Sequence, residues 1–236
     1  MPPAPGPFIG AAVLVHGLWG NPDDWRWVRG LLEDADVLVI TPDLPSHRTP
    51  TAGLAEDAAE VRHAIRSCAP PLAAVGWSYG GSVISLAAAR EDSVSRLVYI
   101  SDIPRPAGFP GEDLSWIDAD PHVLVHPDGR FVLDNDLWLK DEGGAFPEEV
   151  HKHLRDHPRR LATRATHGTQ TEAAWETTPA TVLIGELDNM LADADRKWAE
   201  EYLNDVRVID NTDHFIIFRH PDLVAQLVLE ALGRAA

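Results

Sequence analysis

Short, almost continuous apolar runs alternate along this chain with stretches whose apolar residues recur at helical spacing, and this rhythm restricts the fold more than any other feature. Gly10-Ala11-Ala12-Val13-Leu14-Val15 and Val37-Leu38-Val39-Ile40 suit strands covered on both faces, as in a parallel sheet. Between them Asn21 offers a helix cap, Pro22 is preset for a first helical turn, and Trp25, Val28, Leu31 and Leu32 repeat at helical spacing. The alternation continues with a helix around Leu54 to Cys68, a strand around Leu72 to Gly76, a helix from Gly80 to Ala89 and a strand over Leu97 to Ile100. Parallel strands joined by helices predict an α/β fold, a mostly parallel twisted sheet with helices on both faces. Ligands in such a sheet gather at the carboxyl ends of the strands.

From Asp102 to about Pro179 the rhythm breaks. Val123-Leu124-Val125 and Phe131-Val132-Leu133 flank Pro127-Asp128-Gly129 and predict a hairpin, and a helix is expected over Pro147 to His157. Strand and helix signals resume at Thr181 to Ile184, Asp195 to Leu203, Val206 to Ile209 and from Pro221 onward. The expected division is a core of residues 1–102 and 180–236 with 103–179 inserted as a mainly helical cap, a lid over a site.

Charge and cysteine content narrow the partners. With 20 Lys and Arg against 37 Asp and Glu, the net charge of −17 repels nucleic acid and anionic lipid. Cys68 stands alone, which forbids an internal disulfide and favours a reducing cytoplasm. The helical pattern Leu54, Ala58, Val61, Ile65 leading to it reads it as packing rather than as a nucleophile. The Pro-rich start, Met1 to Pro7, lacks the basic flank and apolar stretch of a secretion signal, and no apolar run is long enough to span a bilayer. A small molecule is the expected partner, and the chain is expected to be a monomer or homodimer.

Gly76-Trp77-Ser78-Tyr79-Gly80-Gly81 is a G-x-S-x-G string placed after an expected strand and at the opening of an expected helix. A sharp turn there lifts the Ser78 hydroxyl above the sheet, and glycines flank it because a Cβ would collide with neighbouring backbone. Val15-His16-Gly17-Leu18-Trp19, Pro42-Asp43-Leu44-Pro45, Leu97-Val98-Tyr99-Ile100, Gly185-Glu186-Leu187-Asp188 and Asp213-His214-Phe215 accompany it in order. With these stretches the chain resembles an α/β-hydrolase, in particular the compact esterase and hydroxynitrile-lyase-like branch that carries a cap. The extra strands that precede the first one in that family are short or missing here, with nine residues before Gly10.

A serine hydroxyl needs a base, and histidine has a suitable pKa. The resemblance makes His214 that base, while His16, before a turn glycine, and His220, beside Pro221 at a helix start, read as architectural. Asp188 is favoured as the carboxylate that fixes the imidazole, since Ser78, Asp188, His214 is the chain order of the fold; Asp102 is the rival, and Glu186 and Asp213 read as solvated acids. The Tyr79 amide would supply one oxyanion-hole donor, and by resemblance Leu18 the other. Trp19, Trp77, Trp116 and Trp138 are candidate walls of a substrate pocket, and Trp175 a further cap aromatic. His153 and His157 share the i, i+4 spacing of metal ligands, yet Arg155, Asp156, Arg159 and Arg160 around them describe a solvated helix, so no metal is expected.

These residues predict a carboxylesterase- or lactonase-like serine hydrolase that cleaves an ester, lactone or thioester of a small apolar molecule through an acyl-enzyme, without cofactor. The alternatives keep the fold: C–C cleavage, lyase or cyclisation chemistry by the same triad, or a small-ligand receptor without turnover. Epoxide and haloalkane hydrolysis on this fold use a carboxylate where Ser78 stands.

Overall fold

The apolar runs become strands because each can be covered twice. In the computed structural model, which describes residues 8–111, 113–141 and 146–234, they form β1 (Gly10–Val15), β2 (Val37–Ile40), β3 (Leu72–Trp77) and β4 (Val94–Ile100). A separate antiparallel hairpin follows, β5 (Val123–Val125) with β6 (Phe131–Leu133), and then β7 (Ala180–Gly185) and β8 (Val206–Ile209) complete the main sheet. Its order is β2-β1-β3-β4-β7-β8, and every pairing is parallel. The Pro-rich start, Met1–Pro7, lies outside the described residues.

Alternation along the strands sorts side chains between two cores. Ala12, Leu14, Ala73, Val75, Val98 and Ile100 face α1 (Arg26–Asp34), where Val28 and Leu32 meet them. Ala11, Val13, Val15, Ala74, Leu97 and Tyr99 face the opposite way, toward α2 (Leu54–Arg66) and α3 (Tyr79–Ala87). Full burial of each Val, Leu or Ile side chain contributes about 1.5–3 kcal/mol. Two further short helices, α4 (Asn135–Asp141) and α5 (Glu148–Asp156), extend the α1 side through Trp138, Val150 and Leu154. Later in the chain α6 (Asp193–Tyr202) joins the α2 and α3 side through Ala199, while α7 (Ile216–Arg219) and α8 (Pro221–Ala231) close the α1 side. Among the described residues no helix is long and apolar enough to cross a membrane.

Helix α3 lies very close to β1, and a missing side chain permits it. A Cβ on Gly80 would come within 2.3 Å of the Val15 carbonyl oxygen, and that neighbour is strand backbone that cannot yield. Gly80→Ala is therefore expected to cost about 3 kcal/mol. A chemical-denaturation midpoint unchanged from wild type would contradict this packing.

The stretch between β4 and β7 adds no strand to the main sheet. Besides the apolar contacts of α4 and α5, polar contacts fasten it to the core, one of them a buried ion pair. Arg159 donates to both carboxylate oxygens of Asp24 at 2.7 and 2.9 Å, the Arg160 amide donates to the Trp19 carbonyl at 2.8 Å, and the Arg160 guanidinium pairs with Asp43. Burial alone would raise the Asp24 pKa, but the Arg159 charge and the contact with His153 hold it well below the carboxylate range. This corrects the reading of the segment as a solvated helix in part: Arg155 and Asp156 are exposed on α5, but Arg159 and Arg160 are not. Arg159 and Arg160 lie beyond the end of α5 and turn inward, and His153 is only 2% exposed, stacked on His157 at 4.6 Å. Charged residues at helical spacing gave no sign of Asp24, more than a hundred residues away, as their partner. Among the described residues no group of three or more His, Cys, Asp or Glu side chains converges as a metal site.

Candidate active site

Ser78 sits between the end of β3 and the start of α3, in the backbone conformation φ 51, ψ −126. That region is costly for a residue with a side chain, by about 1–3 kcal/mol, and persists only where the surroundings enforce it. Here a Cβ on Gly76 would fall 2.4 Å from the carbonyl carbon of Gly80, so the strand end and helix start touch backbone to backbone. The Ser78 amide bonds to the Ile100 carbonyl at 2.9 Å, anchoring the bend to β4. The Ser78 side chain is half-buried and makes no hydrogen bond to another described residue.

His214 and Asp188 come together although 26 positions separate them. The His214 Nδ1 lies 2.9 Å from Asp188 Oδ2, and the pair is buried. Asp188 follows β7, and its other oxygen accepts the Met190 amide at 3.0 Å, so the carboxylate cannot turn away. An acceptor at Nδ1 places the imidazole proton there and leaves Nε2 as the basic nitrogen. The loop carrying His214 is tied to the same end of the sheet as Ser78: its carbonyl accepts from Trp77 Nε1 at 3.0 Å and from Ser101 Oγ at 2.7 Å. Asp102 instead lies against α3, where a Cβ on Gly81 would meet its Oδ2 at 2.0 Å.

Neither the Leu18 nor the Tyr79 amide donates a hydrogen bond to another described residue. The Trp19 amide is engaged, donating to His47 Nε2 at 2.9 Å. Residues 17–20 form a turn closed by the Gly20 amide on the Gly17 carbonyl at 3.1 Å, with Trp19 at φ 61, a conformation glycine would adopt more readily. At the start of α3 the Tyr79 amide sits at the positive end of the helix dipole.

The candidate pocket aromatics divide into two groups. Trp19 and Trp116 pack edge to face with each other and with Phe131, beside Leu18. Trp77 packs on His214, Phe215 and Phe218, and Trp138 on Phe146 and Phe215. Trp77 thus supports the imidazole loop through both its indole nitrogen and its ring. Trp175 lies elsewhere, against Trp198. Cys68 is half-buried with its thiol on the Ala64 carbonyl, and burial raises its pKa away from the reactive thiolate. Glu186 accepts the Asn211 amide and Asp213 pairs with Arg219, while His220 Nε2 contacts Thr212 Oγ1 at 2.9 Å.

Sequence reasoning missed Ser101, Ser46, His47 and Asp57, all buried around this site. For Asp57 a signal existed, since it falls three residues after Leu54 and four before Val61, on the apolar stripe of α2. Two buried histidines also set an acid limit. Burial drives the His16 pKa down to about 4, and burial together with the neighbouring His16 charge lowers that of His47 well below its ordinary value. Both bind a proton more readily when unfolded, so their contribution to stability is complete above about pH 6.5 and is lost as pH falls toward 4. For His16 alone this is on the order of 3 kcal/mol. The melting temperature is expected to drop steeply over that window, and a flat profile would show that neither ring is held neutral.

The sequence matches, over residues 12–227, the model of a family described as the alpha/beta hydrolase family. No curated protein matches the chain. Among solved structures, a methylesterase from Arabidopsis is similar at 17% identity and a TM-score of 0.72, with 94% of this chain and 98% of that one covered. A pyrethroid hydrolase from Sphingobium faniae shares 19% identity at a TM-score of 0.71, covering 95% and 97%. A methylketone synthase from tomato, complexed with 2-tridecanone, shares 16% at a TM-score of 0.76, covering 94% and 96%. At these identities the likeness is one of fold.

Proposed function

This chain belongs to the alpha/beta hydrolase family, and from that premise we propose that it is a serine hydrolase acting on a carboxylic ester, lactone or thioester of a small apolar molecule. The observation that carries the reading is the buried Asp188–His214 pair at 2.9 Å, held at the same sheet end as a serine on a strained bend. Asp188 orients the ring and stabilises the imidazolium, His214 Nε2 takes the Ser78 proton, and Ser78 Oγ attacks the carbonyl carbon. The Leu18 and Tyr79 amides receive the charge that develops on the carbonyl oxygen, each contributing on the order of 3 kcal/mol. The imidazolium returns its proton to the leaving alcohol or thiol. Water, deprotonated by the same ring, then releases the acid and restores Ser78. The Ser78 hydroxyl makes no hydrogen bond to another described residue, and catalytic contacts of this kind often tighten only in the reacting complex.

An apolar substrate is supported by the Trp19 and Trp116 rings beside Leu18, with residues 103–179 acting as the lid that brings Trp116 there and Phe131 packed behind both rings. A panel of aryl esters of graded acyl length tests the proposal: steady release of the acid, with a rate maximum at one chain length, is expected. Tight binding of aryl ligands without turnover would instead favour a receptor.

A further inference from the structure

Both turns that carry the proposed oxyanion donors lean on one carboxylate. Asp57, in the first turn of α2, is fully buried and receives three hydrogen bonds. The Ser46 amide donates to Oδ1 at 2.8 Å, the Ser46 hydroxyl to Oδ2 at 2.5 Å and the Tyr79 hydroxyl to the same Oδ2 at 2.6 Å. Ser46 Oγ also lies 2.9 Å from His47 Nδ1, and His47 Nε2 accepts the Trp19 amide. The direction of every proton follows. A backbone amide can only donate, so His47 Nε2 is bare and its proton resides on Nδ1, which donates to Ser46 Oγ. The Ser46 hydroxyl hydrogen must then point at Asp57, which an ionised carboxylate accepts.

We propose that Asp57 is a positioning residue for the oxyanion hole, fixing the Leu18-Trp19 turn through Ser46 and His47 and the Tyr79 turn through the tyrosine hydroxyl. The proposal rests on the hydrolase reading for its catalytic meaning, while the relay itself is a property of the fold. It explains how Trp19 is kept at φ 61, since the His47 ring holds its amide.

Asp57→Asn changes almost nothing in shape but reverses one donor. If the amide NH₂ faces the two hydroxyls, Ser46 must turn its hydrogen toward His47 Nδ1, the ring proton moves to Nε2, and Nε2–H then opposes the Trp19 N–H. If the NH₂ faces the other way, it opposes the Ser46 N–H. No orientation of the amide satisfies all the bonds.

The test compares wild type, Asp57→Asn and Tyr79→Phe at matched folded fractions. For aryl-ester hydrolysis, Asp57→Asn is expected to lower kcat about 10- to 100-fold with KM within about threefold, and to weaken an aryl boronic acid, which mimics the tetrahedral state, by a similar factor. Tyr79→Phe, which frees only one turn, is expected to show the same split at smaller amplitude. Equal kcat and boronate affinity in all three would overturn the proposal, as would losses that track only the unfolded fraction. Hydrogen exchange at the Trp19 and Ser46 amides is read in the same samples and needs no turnover. Faster exchange in Asp57→Asn is expected. Unchanged exchange would overturn the relay even in a fully active enzyme, whereas faster exchange in a protein that hydrolyses no ester would place the failure in the hydrolase reading alone.

Discussion

Ser78→Ala is expected to lower ester turnover by a factor on the order of 10⁵ to 10⁶ while melting close to wild type. The nucleophile is the one group whose loss leaves the Asp188–His214 pair with nothing to act on, so the remaining rate is that of binding and oxyanion contacts alone. Stability is expected to persist because the hydroxyl makes no hydrogen bond to another described residue and the bend is imposed by backbone contacts at Gly76 and Gly80. Turnover and the thermal transition, measured on one preparation, check both halves. A Ser78→Ala variant that keeps its activity would remove the nucleophile from the account.

The second large effect separates the two candidate acids. Asp188→Asn is expected to reduce kcat about 10⁴-fold, whereas Asp102→Asn is expected to stay within about tenfold of wild type. In Asp188→Asn the amide oxygen is drawn to the Met190 N–H, so the NH₂ faces His214 Nδ1. A donor there forces the ring proton onto Nε2, the nitrogen that must be bare to accept from Ser78. Asp102 has no such place, since Nδ1 is already taken and Asp102 lies against Gly81. Steady-state kinetics of the two variants decide between them, and a reversed order of effects would transfer the acid role to Asp102.

The sheet was legible in the sequence because its inner strands β1, β3 and β7 are buried on both faces, and continuous apolar runs such as Ala11 to Val15 have few other places to lie. The helices α1, α2, α3 and α8 were legible from their apolar stripes and, for α8, from Pro221 at its start, but α4 and α7 were not, being too short to display a period. Ser78, Asp188 and His214 were singled out through local context, a serine between glycines at the end of β3, an acid after β7 and a histidine after β8, and the structure brings the last two within hydrogen-bond distance. Contacts between distant polar residues left almost no trace. Arg159 reads as a surface charge until Asp24 is seen beneath it, and His47 as one histidine among many until the Trp19 amide is seen to require its bare nitrogen. Hydrogen-bond partners are set by tertiary geometry, which no local pattern encodes, except where a charge interrupts an apolar stripe as Asp57 does.

The most direct measurement is peptide mass analysis after exposure to a fluorophosphonate, with His214→Gln treated in parallel. A single adduct on Ser78 in wild type, strongly slowed in the variant, is the expected outcome, because phosphonylation needs both the hydroxyl and the base that activates it. Folded wild-type protein that takes up no label, or takes it up at the same rate without His214, would contradict the claim that these residues act as one catalytic unit.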